Sequence, residues 1–145
     1  MCIIIDANVA HEFTPPTEDA QVVLTWLTRK GGVIAVGGKL KRELLTVAKF
    51  RALYQRLVQA GRLYRYDDNE VDGAESKVRR ELALVSDDHH VIALAQISHC
   101  RVLFSRDREL HTDFRNPNVL EPRGRVYQRR RHRHLLRNAS PCRLP

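Results

Sequence analysis

Acids from four segments stand where the chain turns from apolar to polar. Asp6 follows "CIII", Glu43 lies in "GGKLKREL", Asp87 and Asp88 precede "HHVIALA", and Asp107 comes three residues after "RVLF". In an open parallel sheet, sites lie outside the carboxyl ends of the strands, so carboxylates from these four segments can meet at one edge. Crowded carboxylates repel, and without a cation at least one must hold its proton. A hard divalent ion relieves the repulsion, and oxygen-only ligation suits Mg²⁺ or Mn²⁺, which keep several waters and bind phosphates. Such an ion lowers the pKa of bound water and neutralises charge on a phosphodiester under attack. The plain alternative is that each Asp caps a helix, where free N–H groups and the dipole favour a carboxylate, and that Glu43 is one surface residue of an amphipathic helix. Caps do not explain why all the acids fall at the same rim. No Ser–His–Asp or Cys–His pattern and no phosphate-binding glycine loop competes for a site there.

The elements that must position these acids follow from apolar patterning. "MCIIID" reads as a buried parallel strand. Thr17 reads as an N-cap, with Val22, Val23, Trp26 and Leu27 at helical spacing up to Gly31-Gly32. "VIAV" is a second strand, followed by the Gly37-Gly38 turn. From Lys39 to Ala60 the leucines predict one long amphipathic helix ended by Gly61. "LYRY" is a third strand, and the next helix is expected from about Glu75. A helix from Asp87 or Asp88 to Ser98 leads into the strand "RVLF", and "SRDRELHTDF" starts another helical turn. A last edge strand is expected near "NVLEP", with "GRVYQ" continuing it. Strands alternating with helices give an α/β fold around a mainly parallel sheet flanked by helices.

The chain of 145 residues is long enough for one domain with a real core and no staples. Its apolar runs are too short to cross a bilayer, and no secretion signal is readable. The cysteines Cys2, Cys100 and Cys142 are odd in number and widely spaced, which predicts reduced thiols in a cytoplasmic protein. The net charge of +8 is unevenly placed: 17 Lys/Arg and 17 Asp/Glu precede Arg123, whereas from Arg123 onward there are 8 Arg and no acid. The expected division is therefore a domain over 1–122 and a basic tail over 123–145. Such a tail can attract phosphate backbones through counterion release, grip an acidic protein, or be a solvated end.

Taken together, "IIIDANV" (3–9), "GGKLKREL" (37–44), "DHHVIALA" (88–95) and "LFSRDREL" (103–110) resemble the PIN-domain family of metal-dependent ribonucleases, which includes toxins of toxin–antitoxin pairs. The motifs run from the first strand past the fourth and cover most of residues 2–120. The resemblance implies a PIN-like three-layer sandwich and an endoribonuclease using Mg²⁺ or Mn²⁺. Asp6, Glu43, Asp88 and Asp107 match the family's acidic metal-binding set, and Asn8 and Ser105 match the polar residues that flank it. The resemblance prefers Asp88 over Asp87, because the family's acid stands three before an aliphatic residue and five and seven before alanines, here Val91, Ala93 and Ala95. It also implies an RNA substrate, an antitoxin partner for a toxin member, and a homodimer. The alternative is a non-cleaving RNA-binding or scaffold protein on the same fold.

Other residues carry weaker signals. Lys39, Lys41 and Arg42 are candidate phosphate contacts, with solubility charges an equally good account. Arg129, Arg130, Arg131 and Arg133 in "RRRHRHLLR" are candidate nucleic-acid contacts. His89 and His90 are adjacent on a helix and point to different faces, a poor chelate. His11, His99 and His111 read as surface or packing residues, and Trp26 as packing. The four tyrosines form no ladder for stacking bases.

Overall fold

Each short apolar run forms a strand. The computed structural model, which describes residues 1–145, places β1 at Cys2–Ile5, β2 at Val33–Val36, β3 at Leu63–Arg65, β4 at Val102–Phe104 and β5 at Arg125–Tyr127. β1, β2 and β4 are buried at every residue, as expected of strands covered on both faces. The sheet has the order β3-β2-β1-β4-β5, and every pairing is parallel. The expected mainly parallel sheet is thus wholly parallel. Ile5 pairs with Phe104 and Ile3 with Ile34, which fixes β1 at the centre.

The flanking helices are α1 (Glu18–Arg29), α2 (Gly38–Thr46), α3 (Ala48–Gln59), α4 (Asp68–Glu81), α5 (His89–Ser98), α6 (Arg108–Phe114) and α7 (His134–Arg137). Short 3-10 helices occupy Ala7–Glu12 and Arg130–His132. Thr17 caps α1 as the sequence predicts, accepting from the Ala20 N–H at 3.2 Å. α5 is the buried mount: His90, the five residues Val91 to Ala95, and Ser98 are all enclosed. Helix and strand side chains close into a single core that extends from Cys2 to Ala139.

Several expectations need correction. The long helix over 39–60 is two helices, because Val47 takes an extended conformation between α2 and α3. The helix expected from about Glu75 begins at Asp68, since Asp67 caps it by accepting from the Glu70 N–H. "NVLEP" is not a strand; "GRVYQ" supplies β5.

Residues 123–145 are not a separate tail. Val126 and Tyr127 lie in the sheet, Leu135, Leu136 and Ala139 join the core, and the Tyr127 hydroxyl donates to the Asp19 carbonyl at 2.6 Å. Alternating apolar residues in "RVY" bury one face while arginines stay out, so high charge and a packed strand coexist in one segment. The prediction of three reduced thiols fails as well: Cys2 and Cys142 are joined as a disulfide, and only Cys100 is free. Their separation of 140 residues hid the pairing, because spacing along a chain does not reveal partners across a sheet.

Candidate active site at the carboxyl edge of the sheet

The strand order reverses direction between β1 and β4, and a crevice opens outside the carboxyl ends of two such strands. Asp6 leaves β1 at this point, and Ser105 leaves β4 beside it. The Ser105 hydroxyl donates to Asp6 Oδ2 at 2.7 Å, while Ser105 Oγ accepts from the Asp107 N–H at 3.0 Å. One buried serine therefore sets the geometry of two acids. Asp107 also caps α6, its Oδ1 accepting from the Glu109 and Leu110 N–H groups at 3.0 and 3.3 Å. Here cap and rim acid are the same residue.

Asp6 and Asp88 behave differently. Each stands at an N-cap position, of the Ala7–Glu12 turn and of α5, yet neither carboxylate makes a capping hydrogen bond. Capping thus fails to account for them. Asp88 instead meets the Asp107 carboxyl and feels the charges of Asp6, Asp107 and Glu43; burial, that contact and the three charges push its pKa up to about 7. Asp6 is also raised, first by burial, with the Ser105 hydroxyl and the Ala7 N–H opposing and the Asp107 charge adding to the rise. Asp87 is exposed, whereas Asp88 is half-buried and feels the charges of Asp6, Asp107 and Glu43.

Glu43 reaches the rim from α2, whose start depends on glycine. Gly38 has φ +60°, and a Cβ there would meet Val71 Cγ1 at 2.8 Å. Its N–H donates to Asp68 Oδ1 at 2.9 Å, and Lys41 pairs with the same carboxylate at 2.6 Å. Glu43 Oε1 accepts from His90 Nε2 at 2.7 Å, although His90 is almost wholly buried. The other ring nitrogen, Nδ1, is buried without a partner. Burial lowers the His90 pKa, with Glu43 opposing, so the neutral ring donates through Nε2.

Two positioning residues escaped the sequence reading. His90 was dismissed as half of a poor chelate, yet it anchors Glu43. Buried Asp113 accepts from the Val85 N–H at 2.9 Å, the Ser86 N–H at 2.8 Å and the Ser86 hydroxyl at 2.6 Å. Ser86 Oγ in turn accepts from the Asp88 N–H at 3.3 Å. Neither pairing has a local signal, because the partners are dozens of residues apart.

Asn8 does not touch the acids; its Oδ1 accepts from the Arg106 N–H at 3.4 Å, joining the loops after β1 and β4. The Arg106 side chain locks the same rim. Its Nε and Nη2 engage both Glu12 oxygens at 3.1 and 3.0 Å, Nη2 also reaches Asp19 at 3.2 Å, and Nη1 donates to the Gln128 carbonyl at 2.6 Å. Lys39 is exposed at the start of α2, and its charge is felt at His90. Of the neighbouring cations proposed as phosphate contacts, Arg42 is paired with Asp72 at 3.1 Å. Arg129, Arg130, Arg131 and Arg133 are exposed and follow the carboxyl end of β5, on the same edge as the acids. His132 sits among them with Nδ1 accepting from the Gln128 and Arg129 N–H groups at 3.1 and 3.2 Å.

The acids form an open rim rather than a tight cage. The only three or more potential ligand atoms within 4.8 Å of one another are the sulfurs of Cys2, Cys100 and Cys142. A cavity lined by Val22, Trp26 and Leu136 lies elsewhere. An all-oxygen set at this wider spacing would suit only an ion that retains waters between itself and the protein, as Mg²⁺ does. No protein-family model matches the chain, and no curated protein or solved structure is detectably similar to it.

Proposed function

We propose that the protein is a metal-dependent endoribonuclease that hydrolyses RNA phosphodiester bonds at this acidic rim. The observation that carries the reading is the Ser105 side chain joining Asp6 to Asp107 at the switch point of a parallel sheet, with Asp88 and Glu43 within reach of their charge. The motifs that resemble the PIN-domain family supply these same four acids. Asp6, Glu43, Asp88 and Asp107 would hold Mg²⁺ or Mn²⁺, which supplies an activated water and charge neutralisation at the scissile phosphate. Ser105 keeps Asp6 and Asp107 oriented, and His90 keeps Glu43 turned to the rim. Lys39 and the arginines at 129, 130, 131 and 133 draw the polyanion to the edge. An open rim admits a polymer where a closed pocket would not. The cytoplasm is the setting that fits an RNA substrate.

As a toxin, the enzyme would be silenced by an antitoxin whose basic side chain occupies the rim, and a homodimer would present two rims. The test is cleavage of single-stranded RNA with Mn²⁺, with Mg²⁺ and with chelator, for the native chain and Asp6→Asn. Cleavage should require the metal and fall by at least about 100-fold in the variant, the scale of losing an electrostatic contribution of a few kcal/mol. Metal-independent cleavage that survives the substitution overturns the proposal. RNA binding without cleavage, abolished by replacing Arg129, Arg131 and Arg133 with Ala, would instead identify a non-cleaving RNA-binding protein.

A further inference from the structure

The amino edge of the sheet carries a second cluster, remote from the acids. Cys2 begins β1, Cys100 lies just before the adjacent β4, and Cys142 arrives from the last segment of the chain. All three sulfurs lie within 4.8 Å of one another, and no histidine or carboxylate atom joins them. Cys2 and Cys100 are fully enclosed, and Cys142 is half-buried.

A disulfide needs only two of these sulfurs, and the third is not explained by it. Thiol–disulfide exchange is a poor account of Cys100. Its thiol donates to the Val102 carbonyl at 3.4 Å and is wholly enclosed, as inert structural thiols are. Nor does the cluster depend on the disulfide for its assembly. β1 and β4 are paired in the sheet. The segment around Cys142 is held by the Arg143 N–H donating to the Ser98 carbonyl at 2.9 Å. The Tyr66 hydroxyl donates to the Arg143 carbonyl, and the Arg143 guanidinium pairs with Glu70 at 2.8 Å. Those contacts tie the Cys142 segment to the fold without using the S–S bond.

We infer that the reduced chain binds one thiophilic monovalent cation, Cu⁺, through Cys2, Cys100 and Cys142. Sulfur-only donors select soft ions over Mg²⁺ or Ca²⁺. Three donors complete a trigonal site for Cu⁺, whereas Zn²⁺ in structural sites takes four. The Arg101 guanidinium, donating to the Cys100 carbonyl at 3.1 Å, sets a positive charge beside the thiolates. The chemistry balances with a dithiol reductant. It gives two electrons and two protons to the Cys2–Cys142 bond and becomes a disulfide itself; Cu⁺ then displaces the thiol protons into solvent.

The test uses the full chain, reduced and freed of reductant without oxygen, and titrated with Cu⁺ in competition with a chromogenic Cu⁺ chelator. Zn²⁺ is titrated in parallel, and stoichiometry is read by native mass spectrometry. One Cu⁺ per chain is expected, with more than about tenfold weaker binding for Cys100→Ala and for Cys142→Ser. Formation of the Cys2–Cys142 disulfide in oxidised Cys100→Ala, read as the absence of free thiol, shows that the variant folds. If it does not form, Cys142→Ser carries the comparison. The assignment is overturned by no stoichiometric Cu⁺, by variants that bind as tightly as the native chain, or by Zn²⁺ retained in preference to Cu⁺. RNA cleavage enters none of these readouts, so the result is independent of the nuclease proposal.

Discussion

Nε2 of His90 lies 2.7 Å from Oε1 of Glu43, joining the buried helix α5 to the more exposed α2 across the rim. Partners that orient a metal-binding carboxylate typically change metal affinity by about 10- to 100-fold when removed. His90→Ala should therefore weaken Mn²⁺-dependent cleavage by about tenfold or more and raise the Mn²⁺ concentration needed for half-maximal rate. His90→Gln, which offers a donor at a similar reach, should recover much of the loss. A purely packing role would leave the metal dependence unmoved in both variants.

The loop that delivers Asp88 hangs on Asp113. Three hydrogen bonds from Val85 and Ser86 end on its buried carboxylate. Asp113→Ala would orphan those donors at a cost of about 3 kcal/mol or more. Urea unfolding should show a lower midpoint with an unchanged slope, together with reduced cleavage although Asp113 touches none of the rim acids. A midpoint within error of the native one would refute the loop's dependence on this residue.

Asp88 gives the metal-free chain a pH signature. Its pKa is near 7 when folded and near 3.8 when unfolded, so the folded state binds the proton more tightly. The stability linked to Asp88 is therefore greatest below about pH 4, is lost as pH rises toward 7, and stays low above. Partial exposure reduces the effect to about 1–2 kcal/mol. Asp88→Asn should melt higher than the native chain at pH 8 in chelator, and the difference should vanish at pH 4. Saturating Mg²⁺ should raise the native melting temperature at pH 8 and leave the variant nearly unchanged.

Removing residues 123–145 should abolish cooperative unfolding, because β5, Tyr127, Leu135 and Leu136 go with them. Circular dichroism and limited proteolysis read the outcome. A truncated chain that still melts sharply would restore the view of a dispensable tail.

Strands and acids were readable in this sequence for one reason: buried parallel strands are continuous apolar runs, and the residue that ends each run marks the sheet's edge. "CIII", "VIAV" and "VLF" announce themselves, and with them Asp6 and Asp107. The break at Val47 left no mark, since no Gly or Pro interrupts "LLTVAKF" and apolar spacing continues through it. β5 was masked by its own arginines. The Glu43–His90 and Ser86–Asp113 pairs, like Cys2 and Cys142, are products of tertiary structure; nothing local to either partner signals them.

The central position of β1 has a consequence for synthesis of the chain. Asp6 is made early, but its partner Ser105 is 99 positions away, and β1 has only β2 to pair with until β4 appears. A growing polypeptide therefore carries its first acid through most of translation without the groups that orient it. The rim comes into being only when most of the chain has left the ribosome, so under the proposed function the RNA being translated would meet no assembled site until its message is nearly read.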